Sequence, residues 1–175
     1  DRAAQQVGIV HFGIGAFHRA HQAWYTDACM NAGESDWMIA GVSLRSGTVA
    51  QQLNPQDGLY TLVERSGESG EARMIGAVRE VLVGGADDDA ILSHLAAPTT
   101  HIVSFTVTEK GYCRAADRSL DLVAAREGSF YPHLARAMRE RKQAGSGGLT
   151  LLSCDNLAHN GNRLAQLMRE YLGAE

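Results

Sequence analysis

Cysteine, proline and clustered positive charge are all scarce in these 175 residues. The three cysteines, Cys29, Cys113 and Cys154, lie far apart and have no CxxC spacing. That excludes a disulfide framework and a zinc ribbon, and reduced thiols point to a cytoplasmic protein. No apolar run approaches the roughly 18 residues of a membrane span. The start, Asp1-Arg2-Ala3-Ala4, lacks a signal peptide's apolar stretch, so no membrane partner is expected. Sixteen Lys and Arg against 20 Asp and Glu leave a net charge of −4 without a basic block, which argues against nucleic acid as a partner. The three prolines stand against 19 glycines, a balance that suits an α/β chain with tight strand-to-helix turns. At 45% hydrophobic and 21% charged residues the chain can bury one core, so a single domain over residues 1–175 is expected.

The apolar run Val7 to Phe12 reads as a buried parallel strand ending at Gly13. Phe17, Ala20, Trp24 and Ala28 recur at helical spacing, predicting a helix from Phe17 to about Ala32, and Trp37 to Val42 is a second strand. Strand, helix and strand form one βαβ unit. Leu59–Arg65 and Ala72–Val83 alternate around Ser66-Gly67-Glu68-Ser69-Gly70 and read as an antiparallel hairpin inserted into the α/β pattern. A short helix from Asp87 to Leu95, a strand over His101–Val107, an irregular loop over Gly111–Ser129, a helix over Phe130–Gln143, a strand over Leu149–Ser153 and a helix over Asn162–Leu172 complete the pattern. The fold class expected is α/β, a Rossmann-like doubly wound parallel sheet with that inserted hairpin.

Gly13-Ile14-Gly15 falls where the first strand passes to the first helix. A dinucleotide fold needs its tight turn there, because the backbone must approach a pyrophosphate unobstructed. An ordinary βα turn has the same need for glycine, and His18 occupies the place of the fingerprint's third glycine. In the nucleotide reading the amides from Ile14 to His18, with Ala16 and Phe17 between them, face the phosphates, and Arg19 adds charge. The second strand ends in Ser43-Leu44-Arg45-Ser46 without the usual acid. Arg45 could meet a 2′-phosphate, Ser43 could serve a plain ribose, and a solvated surface Arg45 is the alternative to both.

Leu151-Leu152-Ser153-Cys154-Asp155-Asn156 ends a strand in a polar cluster, at the edge where such sheets place ligands. Asn156 can donate its amide to a substrate oxygen or serve as a turn residue, and spacing leaves both open. Cys154 has no adjacent histidine to activate it, which favours a structural thiol over a nucleophile. His18 and His21, with Asp155, give the pattern of a metal hydrolase as a third possibility, but His18 lies within the turn and no metal is expected.

Gly13-Ile14-Gly15-Ala16-Phe17-His18-Arg19-Ala20-His21-Gln22 resembles the opening motif of the polyol-specific long-chain dehydrogenases, the mannitol dehydrogenase and fructuronate reductase family. Gln56 to Glu64, Thr106 to Tyr112 and Ser153 to Gly161 resemble further motifs of that family, in the same order. In this family the histidine in place of the third glycine is normal. The resemblance implies hydride transfer between NAD or NADP and a sugar alcohol or sugar acid. It assigns Gly13 to Arg19 and Thr106 to cofactor binding and Asn156 to polarising the reacting oxygen. The Gly41-to-Ser46 stretch looks closer to the hexuronate branch, which interconverts mannonate and fructuronate, than to the mannitol branch.

The family's general base is a lysine on a second, mostly helical domain, within a Lys-x4-Asn-x2-His pattern. Lys110 and Lys142 are the only lysines here, and neither starts that pattern. The chain therefore resembles the nucleotide-binding domain alone, binding cofactor but turning over little without the missing catalytic half. A free-standing NAD(H)-binding sensor without catalysis is the competing reading.

Overall fold

A computed structural model describes residues 2–67 and 69–175. Five parallel strands form the central sheet: β1 (Val7–Phe12), β2 (Met38–Ser43), β5 (Val78–Val83), β6 (Ile102–Phe105) and β7 (Thr150–Ser153). Their spatial order is β5-β2-β1-β6-β7, so the winding reverses between β1 and β6. That is the doubly wound arrangement expected from the sequence, and the reversal opens a crevice beyond the carboxyl ends of those two strands. Every residue of β1 is buried, because the central strand is covered on both faces.

Two further strands, β3 (Tyr60–Ser66) and β4 (Ser69–Ile75), pair antiparallel as a separate hairpin. Glu68, which the sequence places in its turn, lies outside the described residues. The hairpin is tied to the body through Asp27, whose carboxylate accepts from Arg73 (2.7 Å), from the Gly76 amide (2.8 Å) and from Asn31 (2.9 Å). Ala72–Val83 is not one hairpin strand: Gly76-Ala77 interrupts it, and β5 crosses into the central sheet. Because β5 is an edge strand, it tolerates Arg79 and Glu80, which give the segment its hairpin-like alternation.

The helices are α1 (Ala16–Ala20), α2 (Gln22–Asn31), α3 (Thr48–Leu53), α4 (Asp88–Ala96), α5 (Thr108–Gly111), α6 (Leu122–Arg126), α7 (Tyr131–Ala144) and α8 (Asn160–Gly173). The single helix expected from Phe17 to Ala32 is broken at His21, whose φ of −120° and ψ of −88° leave the helical region. Three short helices, α3, α5 and α6, escaped the periodicity because none exceeds six residues. The Gly111–Ser129 segment, expected as irregular loop, contains α6, which Asp121 caps by accepting from the amides of Val123 and Ala124, 3.1 Å each. One side of the sheet packs Phe12, Phe105, Phe130 and Tyr131 into a continuous aromatic core, and the other packs Ile9, Ile14, Ile39 and Val81. No helix among the described residues is long and apolar enough to cross a membrane.

Candidate functional site

A cleft of about 760 Å³ opens at the reversal of strand order. Its walls are the turn Gly13-Ile14-Gly15, the end of β2 at Ser43 with Leu44 and Arg45 beyond it, the segment after β6 from Thr106 to Thr108, and Lys110, Cys113 and Glu127 further on. Of the residues singled out in the sequence, Gly13, Ile14, Gly15, Ser43, Arg45 and Thr106 come together here. Ala16, Phe17, His18, Arg19 and Asn156 do not line the cleft.

The two glycines of the turn do different things. Gly13 has φ +100°, and a Cβ on it would collide with the Thr106 carbonyl. Gly15 has ordinary extended geometry, and its Cβ would meet nothing nearer than the Gly13 carbonyl at 3.9 Å. Gly13 thus serves the fold, whereas Gly15 keeps a space clear. The amides of Ile14, Ala16, Phe17 and His18 have no acceptor among the described residues. Free donors beside an open cradle suit the oxygens of a phosphate, so the residues present fit a dinucleotide.

Behind the turn lies a buried polar network. His11 Nδ1 is 2.8 Å from Ser104 Oγ, and Nε2 is 2.8 Å from Thr106 Oγ1 and 3.2 Å from the Gly13 carbonyl. The Thr106 hydroxyl donates to that same carbonyl at 2.7 Å. His18 stacks on His11 with ring centroids 3.5 Å apart, and both of its ring nitrogens are buried without a hydrogen-bond partner. Burial brings the His18 pKa down to about 3, opposed by the neighbouring Gln22 amide, which does not reach hydrogen-bond geometry. Burial likewise holds His11 well below the usual histidine range, with His18 adding to the effect, so both rings are neutral. His18 therefore packs the back of the turn. Arg19 also acts from behind, donating to the Ile14 carbonyl at 3.0 Å.

Asn156 is exposed, in the loop after β7. Its place is set by the residue before it: Asp155 accepts from the amides of Val107 (3.2 Å) and Thr108 (2.9 Å) and from the Tyr112 hydroxyl (2.8 Å). Asn160 ties the same loop from the other side by donating to the carbonyls of Ser153 and Asp155, 3.0 Å each. Sequence reasoning singled out Asp155 only as a metal ligand; the structure makes it the brace between the loops after β6 and β7. It also missed His11 as the support of Gly13, since Ser104 and Thr106 lie more than 90 residues away in the chain.

The alternative chemistries find little support here. Burial raises the Cys154 thiol, with Asp155 adding to it, and burial and Asp121 raise Cys113 against the pull of Arg45. Neither is an activated nucleophile. His21 stacks on Phe17 and meets Tyr25 edge-on, with ring centroids 5.3 Å from each. No group of three or more His, Cys, Asp or Glu among the described residues is placed to hold a metal ion.

The profile of the mannitol dehydrogenase Rossmann domain matches residues 7–175. The chain is 40% identical over 172 residues to the polyol:NADP oxidoreductase of Gluconobacter oxydans (strain 621H), covering 89% of this chain and 35% of that protein. It is also 40% identical over 177 residues to the D-mannonate oxidoreductase of Escherichia coli (strain K12), covering 93% and 36%. Among solved structures, Pseudomonas fluorescens mannitol 2-dehydrogenase in a ternary complex with NAD and D-mannitol superposes with a TM-score of 0.89 at 36% identity, covering 99% of this chain and 38% of that one. The chain spans about a third of the length of the curated relatives it matches.

Proposed function

The chain belongs to the mannitol dehydrogenase family through its Rossmann domain, and from that premise we propose that it is the cofactor-binding part of an oxidoreductase moving hydride between NAD or NADP and a sugar alcohol or sugar acid. The observation that carries the proposal is the cleft at the sheet's reversal, floored by Gly13-Ile14-Gly15 and flanked by unpaired amides. When bound, the nicotinamide supplies the hydride acceptor for the alcohol and the donor for the ketone.

The chain's own residues then divide the work. Gly13, Ile14 and Gly15 form the phosphate floor, and Ala16, Phe17 and His18 contribute amides rather than side chains. Arg19, His11 and Thr106 hold the turn in shape by gripping the carbonyls of Ile14 and Gly13. Ser43, the last residue of β2, and Arg45 in the loop beyond it take the ribose end. Asn156 donates its amide N–H to the reacting oxygen, where developing negative charge makes the bond count most.

The alcohol proton needs an acceptor, and the family resemblance assigns it to a lysine on a complementary catalytic domain. Relatives about three times as long leave room for such a domain. Its docking face is proposed as the aromatic side chains Phe17 and Tyr25, 61% and 57% exposed, with Leu152 and Cys154 beside Tyr25. The substrates named for its relatives make a mannonate/fructuronate or mannitol/fructose type the expected one, and three free thiols fit a cytoplasmic enzyme. Family membership favours this reading over a non-catalytic NAD(H) sensor.

The test is Asn156→Ala in the protein carrying its complementary domain, assayed with mannitol, mannonate and their ketones. Turnover should fall roughly a hundredfold or more. Unchanged turnover would remove Asn156 from the chemistry.

A further inference from the structure

We infer that the cleft prefers the 2′-phosphorylated cofactor, NADP(H), and that Arg45 sets this preference; the inference rests on the dinucleotide reading proposed above. The Gly13 amide donates to the Val42 carbonyl at 2.9 Å, which seats the phosphate turn directly against the end of β2. Ile14 Cδ1 fills the space that a side chain at Gly41 would take, locking the two segments together. Whatever follows Val42 therefore faces the ligand that the turn holds. A site selective for the plain ribose ends this strand in Asp or Glu, which accepts from the 2′-hydroxyl and repels a phosphate.

Here the strand runs into Ser43-Leu44-Arg45-Ser46, and the first three of these residues line the cleft. The Ser43 hydroxyl donates to the Ser46 carbonyl at 2.7 Å, so its proton is committed to closing the loop. Arg45 sits at the tip of that loop, exposed, with no hydrogen bond or ion pair among the described residues. Arg126, Arg136 and Arg139 spend their charge on carboxylate partners within 3.6 Å, whereas Arg45 lines the cleft without one. Glu127, the acid lining the cleft, follows α6 and makes no ion pair with Arg45. Next in the chain, Ser46 Oγ and Thr48 Oγ1 bond each other at 2.8 Å, which helps to close the loop that carries Arg45. An unpaired planar fork matches a phosphate monoester better than a diol, because two of its N–H groups can meet two phosphate oxygens at once.

The experiment is calorimetric titration of this chain with NADPH and with NADH, repeated on Arg45→Ala and Ser43→Asp. NADPH should bind at least about tenfold more tightly than NADH, a ratio that charge-assisted bonds to one guanidinium can supply. Arg45→Ala should shrink that ratio about tenfold, Ser43→Asp should invert it, and added salt should narrow it by screening an exposed pair. Equal affinity, or tighter NADH, overturns the preference while leaving the dinucleotide site intact. A preference for NADPH that survives Arg45→Ala overturns the role of Arg45. Binding of neither cofactor overturns the site and the preference together.

Discussion

Gly13 and Gly15 look alike in the sequence, yet they predict opposite consequences on substitution. Gly13→Ala adds a Cβ at φ +100° against a backbone carbonyl and should destabilise the fold by about 2 kcal/mol or more. Gly15→Val finds open space and should leave stability within about 1 kcal/mol while cutting cofactor affinity at least about tenfold. Urea unfolding and calorimetry on the two variants separate these effects. The stacked histidines bear on pH. Both hold fewer protons folded than unfolded, so their contribution is fully present above about pH 6.5 and is lost as pH falls towards the His18 value of about 3. Stability measured between pH 7 and 4 should fall with a slope steeper than one proton, His133 adding to the trend through its own burial. His18→Phe should flatten the slope by about one proton. It should also stabilise the protein at pH 7 by about 1 kcal/mol, since two unpartnered buried nitrogens disappear. An unchanged slope would mean that His18 charges freely in the folded state.

Among the elements, the brace between the loops after β6 and β7 matters most for the site. Asp155→Ala removes an acceptor shared by two amides and a tyrosine hydroxyl and should cost about 2 kcal/mol in urea unfolding. Asp155→Asn should cost less, since one carbonyl oxygen still accepts. The sequence made the strands before the glycine turn and before the Ser-Cys-Asp-Asn cluster legible, because buried parallel strands are short apolar runs. It did not separate β4 from β5, since an edge strand with polar residues alternates as a hairpin strand does. The glycine turn was legible for the same physical reason that it functions, a local demand on backbone geometry. The His11–Ser104–Thr106 support was not, because only the register of β1 against β6 brings those side chains together.

At the scale of the whole molecule, one winding of the chain explains both the stability and the site. The sheet's reversal at β1 and β6 opens a crevice beyond their carboxyl ends, and the residues gathered there come from the strand ends, the loops after them and the short helices α3, α5 and α6. The aromatic side chains Phe17 and Tyr25 on α1 and α2 lie outside that core and are exposed, 61% and 57%. The most direct measurement of where the cofactor sits is a two-dimensional amide NMR titration of this chain with NADPH. Shifts concentrated at Gly13 to His18, Ser43 to Ser46 and Thr106 to Cys113 are the predicted result. Shifts confined to these exposed aromatic residues, or absent from the glycine turn at saturation, would contradict the assignment of the cleft.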